Sequence, residues 1–244
     1  CFAGKYGITV YNLASKETVW TGNKATSISV SSDGINVAGI YKDENTATIY
    51  DSQTGNILQT VDFNGRSQQV TTNDIFANPN DNLFEISNDG NLLAVSFSDG
   101  SLSVFNVAND DEIELYDSTS DFTHFEGGFY KEYFAYSASN TTKSVFAVID
   151  VNKKEQIGGF NKDGYFEVQA DETGIFTKID NILVEIDPVS GEQTPLVNTS
   201  ENIVDFALSG SHTMASYKGG VLFFDEKANL IKSFHVILFR FQKE

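Results

Sequence analysis

The chain has 244 residues, with 16 Lys and Arg against 34 Asp and Glu, which gives a formal net charge of −18. This length suits one domain with a substantial core, and we predict a single domain over residues 1–244. Arginine occurs only at Arg66 and Arg240, so no basic stripe can release counterions from phosphates, and nucleic acid is excluded as a partner.

An alternating apolar strand that ends in Asn or Asp recurs along the chain. The Asn or Asp side chain can accept a hydrogen bond from the backbone two residues on, which starts a turn. Each segment therefore predicts the first strand of a hairpin, and Gly55 and Gly191 take equivalent places in two of the turns, where a positive φ is expected. The segments are Ile8–Asn12, Ala47–Asp51, Leu102–Asn106, Phe146–Asp150, Leu183–Asp187 and Val221–Asp225.

A second hairpin accompanies each of these segments. Its clearest copies surround the polar turns Ser31–Gly34 and Ser87–Gly90. Successive Asn or Asp markers lie 39, 55, 44, 37 and 38 residues apart, which leaves room for four short strands per unit. Helical periodicity is absent and turn signals come about every ten residues, a pattern typical of all-β folds with internal repeats. Less regular copies of this hairpin surround Tyr130–Glu132, Asp171–Gly174 and Ser209–Ser211.

The units resemble blades of the WD-repeat, YVTN and pyrroloquinoline-quinone-type propeller superfamily. The turns Asp51–Leu58 and Asp187–Glu192 are similar to its outer-hairpin turn, and the resemblance covers essentially the whole chain. It implies an all-β fold, a β-propeller with six four-stranded blades. The Trp-Asp and Gly-His dipeptides of true WD repeats are missing and Trp20 is the single tryptophan, so the resemblance implies a fold and no active site.

The two ends of the chain predict how the ring closes. Five complete blades run from Thr26 to about Phe234, and the unit before them, Cys1–Thr21, lacks its first strand. We interpret Cys1 as the tail of a strand rather than as a lipid-modified bacterial N-terminus. The apolar segment Val236–Phe241 is predicted to be the innermost strand of the first blade, which would remove the unpaired sheet edge. The alternative is a piece of a seven- or eight-bladed propeller.

Residues with catalytic or metal-binding chemistry are sparse. His124, His212 and His235 are the only histidines, and none has an acid or Cys at the spacing expected of metal ligands. No Gly-x-Ser-x-Gly elbow or EF-hand calcium loop is present. The acidic run from Asp110 to Asp121 is interpreted as a solvated outer hairpin. We therefore predict no catalytic residue, no metal site and no cofactor.

A non-catalytic binding or scaffold module is the function that these observations favour. We expect an extracytoplasmic domain of a larger bacterial surface or membrane protein, such as a permease, that is monomeric, does not itself insert into the membrane, and binds a protein, glycan or small molecule. A cytoplasmic location is the alternative. The alternative function is a propeller lyase, hydrolase or quinone-dependent dehydrogenase, which would need a cluster of His, Arg or carboxylates at the central channel.

The partner-binding surface is predicted in the connection Asn64–Asn82, within the longest unit of the repeat. Extra length in a loop of a compact domain is commonly functional or disordered, and a polar insertion without a partner is the alternative interpretation. Polar side chains surround an apolar anchor in this segment. The predicted contact residues are Arg66, Gln68, Gln69, Asn73, Phe76 and Asn80.

Overall fold

The computed structural model describes residues 7–41, 44–68, 83–119, 121–163, 167–200, 202–209, 212–225 and 229–235. In these ranges every regular element is a β-strand, and no helix is long and apolar enough to cross a membrane. The structure divides into two compact units, residues 1–172 and 173–244, which are described separately. The prediction of a single domain stays a prediction.

The first unit begins with a hairpin, β1–β2, which is followed by three four-stranded sheets and one further strand. Each sheet is a meander in which consecutive strands pair antiparallel, in the orders β3-β4-β5-β6, β7-β8-β9-β10 and β11-β12-β13-β14. The strands are β1 (Thr9–Asn12), β2 (Glu17–Thr21), β3 (Ser27–Val30), β4 (Asn36–Ile40), β5 (Thr46–Asp51), β6 (Ile57–Asp62), β7 (Phe84–Ile86), β8 (Leu92–Ser96), β9 (Leu102–Asn106), β10 (Glu112–Tyr116), β11 (His124–Tyr130), β12 (Tyr133–Ser139), β13 (Lys143–Asp150), β14 (Glu155–Asp163) and β15 (Val168–Ala170).

The second unit continues the same pattern. Strands β16, β17 and β18 pair antiparallel in chain order, and β19 to β22 form another four-stranded meander. Along the chain, the first hairpin is thus followed by five groups of four strands, which is the strand pattern of a six-bladed propeller. The strands are β16 (Ile175–Ile179), β17 (Ile182–Ile186), β18 (Gln193–Asn198), β19 (Ile203–Ser209), β20 (His212–Tyr217), β21 (Gly220–Phe224) and β22 (Leu230–His235).

These groups confirm the predicted all-β propeller fold. Each segment that ends in Asn or Asp forms the third strand of its group or, in β1, the first strand of the opening hairpin. We call the groups blades and number them one to six in chain order. The predicted closing strand, Val236–Phe241, lies outside the described residues, and closure through it stays a prediction.

All six predicted turn-starting side chains accept a hydrogen bond from the backbone of the turn. The donor lies two residues on, as predicted, at Asn12, Asp51, Asn106 and Asp187, but three residues on at Asp150 and four residues on at Asp225. In the first blade, for example, Asn12 Oδ1 accepts from the Ala14 N–H at 2.9 Å, and in the second, Asp51 Oδ1 accepts from the Gln53 N–H at 3.0 Å. The residue four positions after the marker has a positive φ in five of the turns, with 73° at Gly55 and 70° at Gly191. The equivalent acceptors in the other blades are Asn106, Asp150, Asp187 and Asp225.

The two turn glycines provide a matched test of this geometry. A Cβ at Gly191 would meet open space, whereas one at Gly55 would lie 2.8 Å from Cδ2 of Trp20. We expect Gly191→Ala to cost only the left-handed backbone strain, about 1 kcal/mol, and Gly55→Ala to cost about 3 kcal/mol because it also displaces the indole. Denaturant unfolding measures both values. Equal losses for the two variants would contradict the Trp20 contact.

Packing between successive blades supplies the core of the first unit. Three fully buried rings, Phe63, Phe97 and Phe105, meet between the second and third blades with centroids 5.3 to 6.1 Å apart. A second aromatic cluster, which includes Phe125 and Phe134, joins the third and fourth blades. The second, third and fourth blades are therefore stabilised mainly by one another, since one meander alone cannot bury both of its faces.

Candidate functional site

The predicted binding connection leaves the second blade through a tight turn at Asn64 and Gly65. Both residues have a positive φ, 56° and 83°, and the Arg66 N–H donates to the Phe63 carbonyl at 3.2 Å. Two consecutive left-handed residues define a type I′ turn, for which Asn-Gly is the favoured sequence. The chain then pairs with the third blade, where Gln68 lies opposite Phe97.

Arg66 is held from several sides at the seam between these two blades. Its guanidinium carbon lies 4.2 Å from the centroid of the Phe97 ring, and Nη2 forms a 2.5 Å ion pair with Oε1 of Glu112. Nη1 donates to Oγ of Ser103 at 3.3 Å, and Nε donates to the Phe63 carbonyl at 3.2 Å. A planar guanidinium can stack on a ring and bind a carboxylate at the same time, so these contacts fix its position.

An open cleft of about 450 Å³ lies beside this arginine. Glu112 and Glu114, at its wall, belong to β10, and Asp99 lies in the turn between β8 and β9. The cleft therefore has three carboxylates against one guanidinium, and that guanidinium is already paired. Its remaining lining residues are Asn64, Arg66 and Ser118.

Of the predicted contact residues, the structure places Arg66 in the cleft wall and Gln68 in the protein interior. Gln68 is only 4% exposed, and its amide makes no hydrogen bond among the described residues. The Gln68 side chain is therefore internal and does not form part of the surface. Gln69, Asn73, Phe76 and Asn80 lie outside the described residues, and their role stays a prediction.

Sequence reasoning missed the acidic side of the cleft. The run from Asp110 to Asp121 is typical of a solvated hairpin, yet the Glu112 side chain is only 22% exposed and binds Arg66 and the Ser103 hydroxyl. The two partners Arg66 and Glu112 are 46 residues apart in sequence. No local sequence pattern predicts a contact between residues so far apart in sequence. The packing of the second blade against the third creates it.

Glu85 is a second residue that the sequence did not single out. It lies on β7, the first strand of the third blade, and its Oε2 accepts a 3.1 Å hydrogen bond from the Ser29 hydroxyl on β3. The same hydroxyl accepts from the Ile86 N–H at 3.1 Å. Burial raises the pKa of the Glu85 carboxyl to about 7, and the Ser29 hydrogen bond only partly offsets this. A carboxyl of this kind takes up a proton near neutral pH.

The histidines do not assemble a metal site within the described ranges, where no three His, Cys, Asp or Glu side chains converge. His124 does have an acidic neighbour, contrary to the sequence-based expectation, since its Nε2 lies 3.4 Å from Oε1 of Glu126. Both belong to β11, where residues two apart share a face. His212 lies exposed on β20, and the side chain of His235 lies outside the described part of the chain.

Comparisons with known proteins identify the architecture. No family model and no curated protein matches the chain. Among solved structures, the β-propeller domain of Cps50 (Swd1) from Myceliophteria thermophila is 12% identical with a TM-score of 0.58, and the match covers 92% of this chain and 78% of that one. The C-terminal WD40 domain of Sif2 is 13% identical with a TM-score of 0.57, and that match covers 87% of this chain and 58% of the other.

The chain thus has a WD40-like β-propeller fold. At identities of 12% and 13% the likeness shows the fold alone.

Proposed function

We propose that this propeller is a non-catalytic binding module, and that its binding surface includes the cleft beside Arg66. The observation that carries the proposal is the arrangement of Asp99, Glu112 and Glu114 around one open cleft, at the start of the connection that the sequence predicted. The partner is a protein that places a Lys or Arg side chain in this cleft.

Charge supports this choice of partner. Arg66 neutralises Glu112 across a 2.5 Å ion pair, and Asp99 and Glu114 remain to give the cleft a net negative charge. The whole chain, with its formal net charge of −18, adds a long-range field of the same sign. Such a field speeds the approach of a cationic partner and repels an acidic one.

The role of Arg66 in this proposal is to position Glu112 before a partner binds. Its guanidinium is committed to Phe97 and to Glu112, so the Glu112 carboxylate is held in place before any partner arrives. A preorganised carboxylate loses less conformational entropy on binding than one that has to be ordered.

Neutralising the cleft tests the proposal. The double variant Asp99→Asn/Glu114→Gln removes two charges from the lining, and we expect a roughly tenfold weaker affinity for the partner with little change in melting temperature. The partner is first captured from a native surface fraction on the immobilised wild-type protein, and its affinity is then measured at two salt concentrations. Affinity for the wild type should fall with salt more steeply than affinity for the variant.

A double variant of equal charge is the control. Glu17 on β2 and Glu155 on β14 are both exposed and lie outside the cleft lining. Glu17→Gln/Glu155→Gln should bind almost as the wild type does. If both double variants bind as tightly as the wild type, the cleft is not the binding site. If both bind more weakly than the wild type by the same factor, only the overall charge of the protein matters.

The cellular setting belongs to the same proposal. We place the module outside the cytoplasm, as a domain of a larger bacterial surface or membrane protein. Protease accessibility on intact cells tests this: a propeller digested only after lysis would be cytoplasmic. No specific observation favours the enzyme alternative.

A further inference from the structure

The turn Asn64-Gly65 holds the only Asn-Gly dipeptide of the chain. Glycine has no side chain to shield its main-chain nitrogen, and around Gly65 even an added Cβ would meet open space. Asn64 itself is exposed, and among the described hydrogen bonds none uses the Gly65 N–H. Nucleophile and electrophile are thus adjacent, unshielded and in contact with water.

We propose that Asn64 is a site of spontaneous deamidation. The Gly65 main-chain nitrogen, after loss of its proton to hydroxide, attacks Cγ of Asn64, a C–N bond forms, and Nδ2 leaves as ammonia. Water then opens the resulting succinimide at either carbonyl and gives aspartate or isoaspartate. The sum of the reaction is one water consumed and one ammonia released.

The local contacts hold the reacting amide only weakly. Nδ2 of Asn64 donates a single long hydrogen bond, 3.4 Å, to Oε2 of Glu112. A hydrogen bond of this length contributes little. Asn91, which is also exposed, differs from Asn64 in the hydrogen bond of its side-chain amide and in the residue that follows it. Its Nδ2 donates to Asp89 Oδ2 at 2.7 Å, and the bulky Leu92 follows it.

Conversion would change the cleft. An aspartate at residue 64 replaces a hydrogen-bond donor to Glu112 with a second carboxylate, and like charges at this distance repel. An isoaspartate also lengthens the main chain within the type I′ turn that positions Arg66. Both products therefore alter the Arg66–Glu112 region while leaving the blades themselves intact.

Peptide mapping of the aged protein tests the proposal. Folded wild-type protein is kept in mildly alkaline buffer, and the mass gain that accompanies replacement of NH2 by OH is followed over time. We expect it at Asn64 well before any measurable gain at Asn91, with isoaspartate among the products. The variant Asn64→Gln should remove the early gain, and the left-handed backbone at residue 64 should cost this variant only a few degrees of melting temperature.

A denatured sample of the same protein gives the rate of deamidation at Asn64 in the unfolded chain. If Asn64 converts in the denatured sample but not in the folded one, the folded turn protects the amide and the proposal is wrong. Conversion of Asn64 no faster than Asn91 in the folded protein overturns it as well.

Discussion

The variant Gly128→Ala is expected to lose about 3 kcal/mol of unfolding free energy, and Gly128→Val more. Gly128 lies on β11, where a Cβ would come within 2.4 Å of the Ala170 carbonyl oxygen on β15. Backbone cannot rotate away as a side chain can, so the two strands would have to separate. For a chain of this size the alanine variant corresponds to a drop of about 10 °C in melting temperature.

The control is another glycine whose neighbour can move. At Gly219 a Cβ would meet Cε2 of the Tyr217 ring at 2.9 Å, and this ring is only partly buried. We expect Gly219→Ala to change the melting temperature by no more than a degree or two, since the ring can rotate. A Gly128→Ala variant that melts with the wild type would show that β11 and β15 are further apart than the structure places them.

The architecture could be predicted from sequence because short local patterns that recur along the chain determine it. Asn12 and Asp51 start their turns through hydrogen bonds to backbone only two or three residues away. Both partners of such a hydrogen bond lie within one short stretch of sequence, so the sequence pattern predicts the turn. Repetition then fixes the period, and the period selects the propeller.

The candidate site could be predicted only in part, because most of it is made by contacts between blades. The long spacing pointed to the connection, and Arg66 was singled out as one of two arginines. Its actual partners, Phe97 and Glu112, belong to a blade that begins after the connection. Nothing in the run Asp110–Asp121 distinguishes Glu112 from a solvated acid. The interior position of Gln68 likewise depends on the strand opposite it.

Glu85 illustrates the same limit on an inner strand. In sequence, the segment Phe84-Glu85-Ile86 is an alternating strand with a polar middle residue, and nothing in it shows which side chain of a neighbouring blade Glu85 contacts. The neighbouring blade supplies the Ser29 hydroxyl, and the Glu85 side chain is partly buried. The pKa of the Glu85 carboxyl is therefore raised to about 7, and this makes the stability of the fold depend on pH.

Stability should fall as the pH rises from about 5 to about 8, and Glu85→Gln should remove this part of the fall. The folded pKa is raised, to about 7 from 4.5, so over that range the unfolded chain releases its proton before the folded protein does. Below the unfolded pKa both states are protonated and Glu85 has no effect. Above the folded pKa both are ionised, and the loss levels off at about 3 kcal/mol.

Melting curves of the wild type and Glu85→Gln over this pH range measure the effect. The glutamine keeps the shape and can still accept from Ser29, so the two proteins should melt together at about pH 5, and the variant should melt several degrees higher at about pH 8. The exposed Glu17→Gln is the control, and its difference from the wild type should not grow with pH. A pH-independent difference for Glu85→Gln would show that the Glu85 carboxyl is hydrated in the folded protein.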